Sequence, residues 1–188
     1  MSTAELPKLI TLKEFLALPD DMDRELIRGE VRERPMTKRN RFHASSEATL
    51  ARLIGNWVAE QPAPPGKVYS GEVGCILQRD PDSTVGIDVA YFSAQTVARQ
   101  SNATTMIDGV PVLAVEVLSP SDKLEEIAEK ISLYLQSDVK LVWIVDPHFK
   151  TVTIHRKGAE PELVNINQQL RAEPYLPGLV IQVSDIFS

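Results

Sequence analysis

The chain has 188 residues, of which 43% are hydrophobic and 24% charged, with a formal net charge of −6. That length suffices for one well-packed domain, and no apolar run approaches the roughly 20 residues that span a bilayer. The acidic balance speaks against a protein that coats nucleic acid through a broad basic surface, and a single cysteine, Cys75, excludes an intrachain disulfide framework and a CxxC zinc site.

Residues 1–8 lack the basic-then-apolar order of a secretory signal, so a cytoplasmic location with no membrane partner is expected. Residues 11–18 (TLKEFLAL) begin with threonine and carry glutamate three positions later, a capping-box pattern that opens a short helix. Residues 24–34 (RELIRGEVRER) read as two short strands turning near Arg28 and Gly29. From 43 to 60 the apolar positions Leu50, Leu53, Ile54, Trp57 and Val58 follow a helical period, and the proline-rich QPAPPG at 61–66 ends that helix.

Two strands are expected next, at 67–70 and 73–78, then a polar turn at 79–84. Residues 85–92 (VGIDVAYF) and 111–118 (PVLAVEVL) read as central strands, with a loop and one helical turn between them at 93–108. Ser119-Pro120-Ser121-Asp122 is expected to cap a helix whose stripe, Leu124, Ile127, Ala128, Ile131, Tyr134 and Leu135, packs on the sheet. Residues 140–145 and 151–156 read as a hairpin, and 162–166 and 179–183 as late strands. Strand, helix, strand around Glu116 fits a crossover that sets two core strands parallel. The whole reads as an α+β unit, residues 1–188, built on a mixed sheet.

Two acids stand out because each interrupts an apolar strand. A carboxylate is almost never fully buried unless it is paired or bound to a metal, so Glu116 and Asp88 both ask for a cation. On neighbouring strands they could share a hard ion such as Mg²⁺, which takes carboxylates, waters and substrate phosphate; the backbone carbonyl of Val117 is a natural further ligand. Such an ion polarises a phosphoryl group and acidifies a bound water. Lys130, on the flank of the helix that follows, could reach over the sheet toward both acids and offset transition-state charge. Glu25 is a fourth candidate.

Each has a plainer reading. Glu116 could sit in a salt bridge, Asp88 at a solvated strand end, Glu25 on an exposed strand, and Lys130 could pair with Glu126 on its own helix. Lys38, Arg39 and Arg41 form a basic cluster suited to phosphate contact or to a plain solvated loop, and His43, beside it at the helix start, is a further candidate to touch nucleic acid or else a polar residue of the helix N-terminus. None of the three histidines shows metal-ligand spacing on this reading, and Cys75 is taken as a small core residue.

The sequence blocks TLKEFLALP (11–19), ELIRGE (25–30), VEVLSPSD (115–122), Glu129-Lys130, Tyr134, LVWIVDP (141–147), LPGL (176–179) and VSDIF (183–187), in this order and spacing, resemble the Uma family of restriction endonucleases within the PD-(D/E)XK nuclease superfamily. The resemblance implies a restriction-endonuclease-like core, a mixed β-sheet flanked by α-helices, with a Mg²⁺-dependent site in which Mn²⁺ can substitute. Carried over by position, Asp88 is the first motif acid, Glu116 the second, Lys130 the lysine and Glu25 the early acid. The chain departs from the pattern at Ile87, where the family usually has proline, and at Leu118, where the superfamily lysine normally stands. Lys130 therefore has to supply the amine from the helix.

The expected function is hydrolysis of DNA phosphodiester bonds by metal-activated water, with a homodimer suited to cutting two strands. The alternatives are a nuclease-fold protein that binds nucleic acid with weak or no catalysis, and a hydrolase using two carboxylates as acid and base. An aromatic content of 6% argues against a sugar cleft.

Overall fold

A computed structural model describes residues 9–19, 23–34, 40–102 and 104–188. In chain order the elements are α1 (Leu12–Leu16), β1 (Asp23–Ile27), β2 (Glu30–Arg34), α2 (Arg41–Ala59), β3 (Lys67–Gln78), β4 (Ser83–Phe92), α3 (Ala94–Ala98), β5 (Ile107–Asp108) and β6 (Leu113–Val117). They continue with α4 (Leu124–Gln136), β7 (Leu141–Asp146), β8 (Thr151–His155), β9 (Glu162–Asn165), β10 (Gln169–Arg171), β11 (Val180–Gln182) and α5 (Val183–Ile186).

The capping box at Thr11 and Glu14 forms as its spacing predicts. The two strands expected between 67 and 78 are one strand, β3, whose register against β4 shifts between Ser70 and Val73. The helix after Glu116 begins later than its expected cap. Lys123 occupies the N-cap without a side-chain cap bond, while Asp122 folds back to accept the Ser119 amide at 2.7 Å.

The sheet is mixed and mostly antiparallel, in the order β2-β1-β4-β6-β7-β8-β9, with β3 on the other edge of β4 and β5 beside β3. β6 and β7 run parallel, joined by α4 as the crossover. Successive residues of a strand face opposite sides. Leu113, Val115, Val117, Leu141, Trp143 and Val145 accordingly enter one core, with Leu50 and Ile54 of α2. Ala114, Val142 and Ile144 enter the other, with Leu133 and Tyr134 of α4. Helices thus flank the sheet on both faces, which is the α+β architecture expected.

One packing expectation fails. Leu124 is 80% exposed and Ala128 is also exposed. The face of α4 that packs is Ile127, Lys130, Ile131, Leu133, Tyr134 and Leu135, with a lysine among them.

The feature that positions the site is a notch in the sheet. Strand β4 is lined along one edge by β3, but on the other edge two strands share it. β1 meets it at Thr84, and β6 pairs with it from Val89 to Tyr91. Between those contacts, residues 85–88 pair with no strand on that edge among the described residues. The face that β4 presents also changes here, since Ile87 packs under α4 and Val89 packs under α2. Asp88 lies at that change.

Candidate active site

Buried backbone groups must find partners, and in the notch side chains supply them. Gly86 donates its amide to Glu25 Oε1 at 3.2 Å and its carbonyl accepts from Lys130 Nζ at 3.0 Å. Glu25 arrives from β1 and Lys130 from α4, so three elements converge where a ladder would otherwise run. The Lys130 ammonium also meets Glu25 Oε1 at 3.1 Å and the Glu116 carboxylate at 3.2 and 3.3 Å. Lys130 is 3% exposed, Glu25 5%, Glu116 6% and Asp88 3%. Glu126 pairs instead with Lys123.

Glu116 sits at the end of β6 on the α4 side, where Tyr134 also donates a hydrogen bond to its Oε1. Burial pushes the Glu116 carboxyl up to about 7; Lys130 opposes that shift, and Asp88 adds to it. The mutual influence of the two acids places them in one electrostatic neighbourhood. Tyr134 is raised well above its ordinary value, first by burial and then by the Glu116 charge, so its hydroxyl stays a donor.

Asp88 faces the other helix. Its Oδ2 accepts the Val117 amide at 2.7 Å and lies 3.3 Å from His43 Nε2 of α2. A strand residue sends its N–H and C=O toward the same edge, so the Val117 carbonyl opens on the Asp88 side as well. One turn along α2, Glu47 Oε2 lies 3.7 Å from His43 Nδ1, and Glu47 Oε1 accepts the Gly71 amide at 2.7 Å. His43, Glu47 and Asp88 each offer a ligand atom within 4.8 Å of the others, a spacing that could hold a metal ion.

The structure therefore brings together Asp88, Glu116, Lys130, Glu25 and Val117, all named from the sequence. It also draws in His43, which was expected beside an exposed basic cluster and is instead fully buried. Glu47 was missed, although His43 and Glu47 are four apart on one helix and therefore share a face. That spacing corrects the reading that no histidine has ligand spacing. Arg41 stays exposed at the head of α2, its guanidinium 4.6 Å over the Phe42 ring. Lys38 and Arg39 lie outside the described residues. His148 and His155, set in and beside the β7–β8 hairpin, take no part.

Cys75 of β3 is buried, and its thiol is pushed up to about 12 by burial first and by the Glu116 charge second. The thiolate is the reactive form. Native protein at pH 8 is therefore expected to resist iodoacetamide for hours and to be alkylated within minutes in denaturant, as read by intact mass; fast native labelling would contradict the buried placement.

Comparison with known proteins follows the same lines. The Uma2 family model, described as "Putative restriction endonuclease", matches residues 12–184. No curated protein matches the sequence. Among solved structures, one similar chain is described as a putative nuclease belonging to DUF820 from Anabaena variabilis. It is 23% identical with a TM-score of 0.78, over 95% of this chain and 97% of that one; at that identity the likeness concerns the fold. Among the described residues no helix is long and apolar enough to cross a membrane.

Proposed function

The chain belongs to the Uma2 family, and from that premise we propose that it is a metal-dependent endonuclease that hydrolyses DNA phosphodiester bonds. The observation that carries the reading is the notch, where buried acids on two neighbouring strands, Asp88 and Glu116, influence one another and Glu116 meets the buried Lys130. The donor set fits a divalent cation. Two buried carboxylates, Glu25 and Glu116, meet one buried lysine, and a third, Asp88, lies on the neighbouring strand against His43; such a concentration of buried negative charge favours a bound cation.

In this reading Asp88, Glu116 and the Val117 carbonyl hold Mg²⁺, with Mn²⁺ able to replace it. Bound there, the ion would supply Lewis acidity to the phosphate and lower the pKa of a water. The chain's own residues set the geometry. Tyr134 and Lys130 fix the Glu116 carboxylate, and Glu25 holds the ammonium from the opposite side. Lys130 orients the attacking water and offsets charge on the phosphoryl oxygens in the transition state. Arg41, with Lys38 and Arg39, contacts the DNA backbone. The unit acts as one domain in the cytoplasm, and a homodimer would bring two sites to two strands.

Supercoiled plasmid incubated with Mg²⁺ or Mn²⁺ is expected to be nicked by the wild type, and at least about 10³-fold more slowly by Glu116→Gln, since losing several kcal/mol of charge stabilisation has that effect on a rate. Cleavage that survives intact in Glu116→Gln would reject this site.

A further inference from the structure

We infer that His43 and Glu47 complete the coordination of the ion held by Asp88, and that this makes the site selective for a transition-metal ion, Mn²⁺, over Mg²⁺. The inference rests on the nuclease reading above for the ion's presence, and goes beyond it in naming the nitrogen ligand and the selectivity.

Two independent observations support it. The first is the cluster itself: one imidazole and two carboxylates, with ligand atoms within 4.8 Å of one another. The second concerns His43 alone. Its side chain is fully buried, yet among the described residues neither ring nitrogen has a hydrogen-bond partner. Buried polar atoms are nearly always satisfied, and an exception calls for an explanation such as an ion. The imidazole is aimed into the cluster, with Asp88 Oδ2 at 3.3 Å on one side and Glu47 Oε2 at 3.7 Å on the other.

The local sequence builds this orientation. Asn40 caps α2 by accepting the Phe42 and His43 amides, both at 3.0 Å. His43 lies seven residues before Leu50 and eleven before Ile54, two buried residues of the same helix. That helical phase directs the ring inward against the sheet. Glu47, one turn further on, is anchored by the Gly71 amide at the β3 register shift, so its second oxygen is turned toward the histidine.

Donor chemistry sets the preference. Mg²⁺ is hard, demands oxygen ligands in a strict octahedron and sheds water reluctantly. A site that replaces one oxygen ligand by a buried imidazole penalises Mg²⁺ more than Mn²⁺, a larger ion with less strict geometry. Mn²⁺ keeps the affinity for carboxylates while accepting the nitrogen.

The test uses Mn²⁺ itself as probe, with competition by Mg²⁺. Free Mn²⁺ measured by electron paramagnetic resonance is expected to show binding at least about tenfold tighter than that of Mg²⁺. Electron spin-echo modulation of the bound ion should carry a ¹⁴N coupling. His43→Gln should abolish that coupling and weaken Mn²⁺ binding by about tenfold or more, a range already seen when partners of metal ligands are changed. It should leave Mg²⁺ binding within about threefold. Circular dichroism melting checks that the variant folds; should it unfold, Glu47→Gln, whose side chain is partly exposed, should also lose about tenfold in Mn²⁺ affinity.

Bound Mn²⁺ without nitrogen coupling, or unchanged affinity in a folded variant, overturns the inference. If plasmid is still nicked in that case, the nuclease reading survives and His43 is a structural ion-pair partner. Nitrogen-coupled Mn²⁺ in a protein that nicks no plasmid would uphold the inference and reject the nuclease reading.

Discussion

Replacing Lys130 with methionine is expected to abolish plasmid nicking and to destabilise the fold by about 3–5 kcal/mol at pH 8, the usual cost of removing one partner of a buried ion pair. Methionine keeps the unbranched stem that packs between α4 and the sheet. What disappears is the ammonium, which meets Glu25 at 3.1 Å and Glu116 at 3.2 Å and also satisfies the Gly86 carbonyl. Two buried carboxylates then share the notch with no cation between them.

The pH dependence gives the effect its signature. In the wild type, burial raises the Glu116 carboxyl from its ordinary value of 4.5 to about 7. Between those values the folded protein holds a proton that the unfolded chain has released, so this group's contribution to stability falls as pH rises through the window and levels off above it. Without Lys130, whose charge opposes the shift, the carboxyl moves higher still and the window widens upward. The deficit of Lys130→Met should therefore be larger at pH 8 than at pH 6 in urea titrations without metal. Equal stability of variant and wild type at pH 8 would mean that the lysine does not neutralise the acids.

Asp88→Asn should have the opposite profile: a fold of nearly unchanged stability and a rate reduced at least about 10³-fold. Asparagine keeps an oxygen where Asp88 accepts the Val117 amide at 2.7 Å, so the junction between β4 and β6 stays closed. It removes the negative charge that an ion would require, and losing several kcal/mol of metal-borne stabilisation corresponds to that factor in rate. Nicking at saturating Mg²⁺ and Mn²⁺ measures the first effect and thermal melting the second. A variant that cuts at the wild-type rate would remove Asp88 from the chemistry. Comparing the two substitutions separates a residue that serves both fold and function from one that serves function alone.

Much of this arrangement is legible in the sequence because an acid in an apolar strand is a local conflict. Glu116 and Asp88 announce themselves in that way, and the strand–helix–strand order around Glu116 predicts the parallel β6–β7 pair that the structure contains. The convergence of Glu25 with Lys130 is different. It depends on the pairing of β1 with β4 at Thr84, a contact across 58 residues of chain, about which no local pattern speaks. Leu124 shows the reverse error, since helical periodicity fixes the phase of a stripe but not which of its turns is covered.

His43 and Glu47 lie between these cases. The phase of His43 relative to Leu50 and Ile54 marks it as inward-facing, and the glutamate four residues on shares its face. In a sequence that spacing is also the signature of an ordinary surface ion pair. Only the arrival of Asp88 from the sheet tells the two apart. Tyr134 illustrates the same limit: its ring belongs to the apolar stripe as expected, whereas its hydroxyl reaches the Glu116 carboxylate.

The notch has one more consequence, for how this protein can vary. Because Gly86 is completed by the side chains of Glu25 and Lys130 instead of by a neighbouring strand, these side chains double as the mortar of the sheet. A relative that discarded the chemistry would have to repair the gap at the same time, by lengthening β1 or β6 into it. A descendant without these side chains should thus betray itself by a continuous ladder along β4.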